Sequence, residues 1–276
     1  MRRFVMIALL VLFTPAVSLA QDTSAPPATA PDDDPDRDIN VSQPDFTVVN
    51  LPTTLRVPRH RGAFRITHRF GRPLGEGDFA DLASDLFGLD SGAQIGLEFR
   101  FGLARGLQAG IHRTSDKTIE LFGEYNVLQQ GASRPIGLDV IAAIEGTDNL
   151  QENHSPSVGL IVSRELGRHG AIYVEPIWVG NSSFAEPADE DNTFMVGLGA
   201  RLRVRPTVYV VGEVIPSSGF NNGTPHGTFG IEKRAGGHIF QLNFSNSFGT
   251  TMGQLARGAF SNDEWYLGFN ISRKFF

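Results

Sequence analysis

FMVGLGARLR, residues Phe194–Arg203, decides the fold. Phe194, Val196, Leu198, Ala200 and Leu202 fall on one side of an extended chain, with Met195, Gly197, Gly199, Arg201 and Arg203 on the other. The same period of two sets Trp265, Leu267, Phe269 and Ile271 against Tyr266, Gly268, Asn270 and Ser272. It sets Leu138, Val140, Ala142 and Ile144 against Asp139, Ile141, Ala143 and Glu145, and Ile95, Leu97, Phe99 and Phe101 against Gly96, Glu98 and Arg100. Such segments read as strands. They are expected at 61–70, 92–101, 106–113, 117–128, 135–146, 156–166, 170–180, 193–204, 207–215, 226–235, 238–247 and 264–276.

A soluble sandwich also alternates, so other features must choose the architecture. The segments run to about ten residues, which suits a tilted membrane-crossing strand better than the ~5–6 usual in soluble sheets. The connections alternate in length. Gly102–Arg105, Gln129–Arg134, Gly167–His169, Arg205–Pro206 and Gly236–Gly237 are short. Gly71–Ser91, Thr147–Ser155, Asn181–Asn192, Pro216–Pro225 and Phe248–Asp263 are longer, and only the tight Thr114–Asp116 breaks the parity. The expected fold is an all-β, antiparallel up-and-down transmembrane β-barrel of about twelve strands with both termini periplasmic. The last strand ends on Phe275 and Phe276, similar to the aromatic C-terminal signal of outer-membrane barrels, although Phe276 falls on the face of Gly268 and Lys274. Pro176 cannot donate to a ladder and predicts a bulge.

Working outward, Met1-Arg2-Arg3, the apolar run Phe4–Phe13 and Ser18-Leu19-Ala20 read as a signal peptide over 1–20, hence export to the bacterial outer membrane. Residues 21–45 read as an acidic, Pro-rich periplasmic tether, because 21–38 hold no large apolar side chain. Asp32-Asp33-Asp34 lacks the spacing of a calcium loop. The barrel is expected over 46–276, with Phe46–Val57 left as periplasmic chain or plug because an extra strand would make the count odd. The chain carries a net charge of −6 and no cysteine. That argues against nucleic acid as a partner and excludes disulfides, thiolate metal sites and covalently attached haem.

If Leu, Val, Ile and Phe face lipid, the opposite face lines the interior. Its acidic candidates are Glu98, Glu120, Glu124, Asp139, Glu145, Glu165, Glu175, Glu213 and Glu232. Its basic ones are Arg65, Arg69, Arg100, Arg201, Arg203, Arg234 and Lys274. Two arrangements satisfy this list: opposed acidic and basic walls that set a field across a pore, or ion pairs that fill the interior. Asp78 to Gly88 reads as a short capped amphipathic helix with Phe79, Leu82, Ala83, Leu86 and Phe87 on one face. It would constrict the mouth, lie on the membrane or pack over the rim. No Gly-x-Ser-x-Gly or His-Glu-x-x-His occurs, and the histidines are scattered, with only His68 and His112 placed to approach each other. No catalytic residue, metal ligand or cofactor is therefore assigned.

His68-Arg69-Phe70-Gly71, Leu86-Phe87-Gly88-Leu89-Asp90, Arg113 with Asp116-Lys117-Thr118, Leu121-Phe122-Gly123 and Gln129-Gln130 carry a resemblance. This stretch resembles domain-of-unknown-function family 5777, predicted outer-membrane β-barrels, and more weakly the likeness extends through most of the barrel. The resemblance implies an exported barrel and supplies no catalytic residues. In the expected topology Arg69, Asp90, Arg113, Asp116 and Lys117 gather near one rim as a salt-bridged cap. The function expected is a non-enzymatic outer-membrane barrel, a narrow pore for small polar or charged solutes. The alternatives are a closed structural or docking barrel and, third, a lipid hydrolase. Expected partners are outer-membrane lipid and lipopolysaccharide and a small solute, with any protein partner left open.

Overall fold

The computed structural model describes residues 37–183, 191–219 and 223–276. The expected signal peptide and most of the expected tether lie outside the described residues. Thirteen strands are found among them: β1 Gly62–Pro73, β2 Ala93–Ala104, β3 Leu107–Thr114, β4 Ile119–Leu128, β5 Gly137–Gly146, β6 Glu152–Glu165, β7 Gly170–Val179, β8 Thr193–Arg205, β9 Val208–Ile215, β10 Ser217–Gly219, β11 His226–Ala235, β12 His238–Ser245 and β13 Tyr266–Lys274. β9 and β10 are one stave interrupted at Pro216. Val214 pairs with Leu198 and Ser217 with Met195 in a single register, and the Val196 amide bonds the Pro216 carbonyl between them. The wall is thus twelve-stranded. Every neighbour is antiparallel, and β1 closes the ring on β13, with Ala63 opposite Lys274 and Gly268 opposite Arg69.

The period of two sorts the side chains. Leu97, Phe99, Ile111, Val158, Val210, Phe229, Ile231 and Leu242 point outward and are exposed to an extent that only lipid can cover. Small and polar residues turn inward. Several short turns need glycine: Gly106 (φ 75°) and Gly236 (φ 60°) adopt a backbone that side chains with a Cβ resist. At the end of β13 the alternation holds to the last residue. Phe275 continues the outward row, its amide bonding the Gly62 carbonyl, while Phe276 turns inward and packs on Phe46, Leu55, Val57 and Ala63.

Pro176 makes no bulge. The β6–β7 ladder drops the rungs at Pro176 and Glu175 but resumes unshifted, with Gly159 opposite Ile177 before the gap and Val162 opposite Val174 after it. The missing N–H costs rungs and leaves the register alone. On its other edge Pro176 sits opposite Val196 in a continuous ladder.

The interior is filled by chain that belongs to no wall strand. Residues 42–57 enter from the end that carries the short turns and fold back as a hairpin, with Thr47 bridged to Pro52, the Val48 amide on the Leu51 carbonyl (2.8 Å) and the Thr53 amide on the Phe46 carbonyl (2.9 Å). Phe46–Val57 is therefore a plug. It begins earlier than the expected boundary at 45, since Ser42, Gln43 and Asp45 are already buried. From the opposite end the connection between β12 and β13 dips inward, and Met252–Ala256 forms a helical turn with every residue buried.

Candidate functional site

The plug hairpin ends in the turn Val48–Leu51, and the wall grips it as one would grip a peptide. Glu213 on β9 accepts the backbone amides of Val49 (3.1 Å), Asn50 (3.0 Å) and Leu51 (3.1 Å), and Nδ2 of Asn50 (2.7 Å). Its carboxylate thus satisfies three consecutive N–H groups that the tight turn leaves without partners. The turn's carbonyls meet donors from β8, β12, β13 and β1. Nη2 of Arg201 donates to Thr47 O (2.7 Å), Nε2 of Gln241 to Val48 O (2.8 Å), and Nδ2 of Asn270 to Val49 O (3.0 Å), which Arg65 also contacts. Arg69 donates to Oδ1 of Asn50 at 2.9 Å.

Ion pairs hold the donors in place. Arg201 is bidentate on Glu232 (Nε–Oε1 3.0 Å, Nη2–Oε2 2.8 Å), and Arg65 meets Glu98 at 3.1 Å. Arg100 bonds Glu98 and reaches Glu124 at 3.3 Å. A charge removed from water needs such pairing, since an unpaired buried guanidinium or carboxylate costs several kcal/mol on the order of magnitude set by its desolvation. Arg69, Glu120 and Glu213 rely on neutral hydrogen-bond partners instead, and Glu175 on β7 has neither. It is fully buried, and neither oxygen has a hydrogen-bond partner among the described residues.

Apolar packing seats the other side of the turn. Val48 and Leu51 join Ile141, Ile161, Tyr173, Ile177, Met195, Val211 and Ile215 from β5 to β9, together with Met252 and Leu255 from the inward loop. Gly197 and Gly199 clear the space: a Cβ at Gly197 would lie 2.6 Å from Cδ2 of Leu51, and one at Gly199 would lie 3.2 Å from Cγ2 of Val48. The lumen face is therefore apolar over part of its circumference, contrary to the expectation that Ile, Val and Leu all face lipid.

The inward loop is latched by two carboxylates opposite one another on β4 and β5. Glu120 accepts the Met252 amide (2.7 Å), while Glu145 accepts the Gly253 amide (2.9 Å), the Thr251 hydroxyl (2.6 Å) and Arg257 (2.8 Å). Carboxylates are well matched to the unsatisfied first N–H groups of a helical turn.

The sequence profile of the membrane-bound β-barrel domain family, DUF5777, matches residues 45–275. The chain belongs to the DUF5777 family. Within the DUF5777 match lie the plug turn, every stave and the inward loop. Among solved structures this DUF5777 chain is similar to the NanC porin (8% identity, TM-score 0.53, covering 77% of this chain and 98% of that one). It is also similar to the KdgM porin in complex with disordered oligogalacturonate (7% identity, TM-score 0.50, covering 78% and 99%). At these identities the likeness shows the fold, a porin-like barrel. Comparison with curated proteins finds no match.

The sixteen charged residues picked from the sequence divide by position. Arg65, Arg69, Glu98, Arg100, Glu120, Glu124, Asp139, Glu145, Glu175, Arg201, Glu213 and Glu232 are buried inside the DUF5777 barrel. Glu165, Arg203, Arg234 and Lys274 share the inward parity but are only half-buried, at the short-turn end. There Glu165 receives Asn40 (2.8 Å), Ser42 (2.6 Å) and Gln43 (2.7 Å) where the plug enters, and Arg203 bonds the Pro206 carbonyl (2.8 Å). Lys274 lies over the rings of Phe46 and Phe276.

Several expectations are corrected. The helix expected over Asp78 to Gly88 keeps its Asp78 cap but stops at Ser84, and none of its residues is buried; the loop that enters the barrel is the one carrying Met252–Ala256. Arg69, Asp90, Arg113, Asp116 and Lys117 form no common cap. Arg69 is buried on the plug, Arg113 bonds Asn149, Lys117 pairs with Asp148, and Asp116 holds Gln254. His68 points outward and stacks on Phe269 (4.8 Å), whereas His112 is buried inside, so the two lie on opposite faces of the wall. The plug is one of the two readings offered for Phe46–Val57; the groups that escaped the sequence reading are the amides Gln241 and Asn270, and the helical turn at 252–256. The last did carry a signal, the capping box Thr251-x-x-Gln254.

Proposed function

We propose that this chain is an outer-membrane channel for small polar or charged solutes, shut in the resting state by its own N-terminal plug, with the short-turn end toward the periplasm. The observation that carries the reading is what fills the lumen. About eight strands enclose an interior that wall side chains alone can fill, and twelve enclose a wider one. Here wall glycines stand back, and the space is taken by a re-entrant hairpin attached through the exposed linker Arg59–Arg61. Both ends of the hairpin leave at the same end of the barrel, so it can withdraw without breaking a stave. The polar belt it would uncover, with the unpartnered carboxylate of Glu175, suits a hydrated passage and not a dry core. The oligogalacturonate bound by the KdgM porin is a polyanion. The lumen of this chain matches Arg65, Arg100 and Arg201 with carboxylates, which favours small or zwitterionic solutes over polyanions.

A solute-efflux experiment tests this. A specific protease site is inserted between Arg59 and His60, the full chain is folded into liposomes, and the linker is cut. Release of entrapped small charged and neutral solutes after cutting supports a plugged channel. Retention of every solute despite loss of the plug peptide would favour the permanently closed barrel, a reading that draws its support from the apolar seat of Val48 and Leu51.

A further inference from the structure

We infer that the belt formed by Glu213, Arg65, Arg201, Gln241, Asn270 and Glu175 is a peptide-binding site in the lumen, that the plug turn is its resident occupant, and that short peptides are the solute class that displaces it. This inference rests on the channel reading above. Most polar contacts between wall and turn are to backbone: one carboxylate takes three successive N–H groups, and two guanidiniums and two amides take three successive carbonyls, those of Thr47, Val48 and Val49. The Asn50 side chain adds the bonds to Glu213 and Arg69. A wall that merely held one segment of its own chain could do so through side chains. This one meets main-chain donors and acceptors over Thr47 to Leu51, groups that a short flexible peptide presents in the same way when it takes up a turn.

The remaining features agree. Leu51 and Val48 occupy an apolar seat on β7 and β8, made deep by Gly197 and Gly199, so the site has a side-chain pocket beside its backbone clamp. Glu175 borders that pocket, its Cβ 3.3 Å from where a Cβ on Gly197 would stand, and its carboxylate is buried with no hydrogen-bond partner among the described residues. The free ammonium of a peptide N-terminus supplies what that carboxylate lacks, which the internal plug segment has no way to do. A neutral sugar of similar size offers hydroxyls but neither the alternation of N–H and carbonyl nor the charge.

The test uses the full chain, folded and then cut in the 59–61 linker, with a fluorescent copy of residues 42–57 as the probe. The probe is expected to exchange into the cut barrel and to be displaced by tri- and tetra-alanine but not by a trisaccharide at equal concentration. Glu213→Gln, which keeps the size and removes the charge that collects three amides, is expected to weaken the probe by at least about tenfold. Glu175→Gln is expected to weaken tetra-alanine more than its N-acetylated form. Equal displacement by peptide and sugar, or equal probe affinity in wild type and Glu213→Gln with both properly folded, would overturn the peptide site. A barrel that binds peptides yet passes no solute after cutting would overturn the channel reading and leave the binding site standing, so the two failures are separable.

Discussion

Leu51→Ala isolates the plug from the wall. Leu51 is fully buried, contributes nothing to any stave, and packs with Val48 against the clearing made by Gly197 and Gly199 and the apolar inner faces of β7 to β9. Truncating a fully buried leucine to alanine costs about 3 kcal/mol, within a usual span of roughly 2–5. In the withdrawn state Leu51 faces water, so nearly all of that loss falls on the plugged state. The ratio of open to plugged barrels should then rise about a hundredfold, since each 1.4 kcal/mol or so is a factor of ten. Single-channel recording reads this as open probability, with the step size of each opening unchanged. The stave ladders are untouched, so the temperature at which the barrel loses its heat-modified gel mobility should stay within a few degrees of wild type. An unaltered open probability together with a large drop in that temperature would refute the reasoning, because Leu51 would then belong to the core of a permanently closed barrel.

Other consequences follow from the same geometry. Removing residues 78–88 should leave conductance unchanged, because the Phe79–Ser84 helix buries nothing; a raised conductance in planar bilayers would contradict its placement. Glu145→Gln should loosen the inward loop, since its carboxylate collects the Thr251 hydroxyl, the Gly253 amide and Arg257, and a thiol reagent should then label a cysteine placed at Ala256 at least about tenfold faster than in the parent. The chain has no native cysteine to confuse that readout. Pro176→Val should restore the missing β6–β7 rungs, worth about 1 kcal/mol, seen as a higher melting temperature and as slow exchange of the new amide.

The staves were legible because their periodicity is a property of neighbouring residues. Alternation in 194–203 or 265–272 survives without knowing what the strand pairs with, and the parity of connection lengths then orders the strands. Pro176 misled because a missing donor was equated with an inserted residue, whereas an antiparallel ladder can lose rungs on one edge and keep its register. The inward charges were legible by the same parity, but their partners were not. Glu213 and Arg201 are neighbours on the paired strands β9 and β8, but the groups they bond lie on a hairpin more than 150 residues earlier. FTVVNLP, residues 46–52, is short, apolar and β-branched, so its composition suits a strand, a plug or a periplasmic stretch equally. What selects the plug is the complementary surface, assembled from β1, β8, β9, β12 and β13 and thus spread over the whole chain. The half-apolar lumen was hidden for a related reason: Ile141, Val211 and Ile215 sit on the inward parity, and only a second apolar surface inside the barrel makes that placement stable.

The most direct test of a plug-gated channel is a current recording on one and the same bilayer before and after the 59–61 linker is cut. The full chain should show rare, brief openings, and cutting followed by perfusion should convert it to a sustained conductance of the same step size, which adding the 42–57 peptide abolishes. A bilayer that stays silent after the plug peptide has been recovered in the wash would contradict the account.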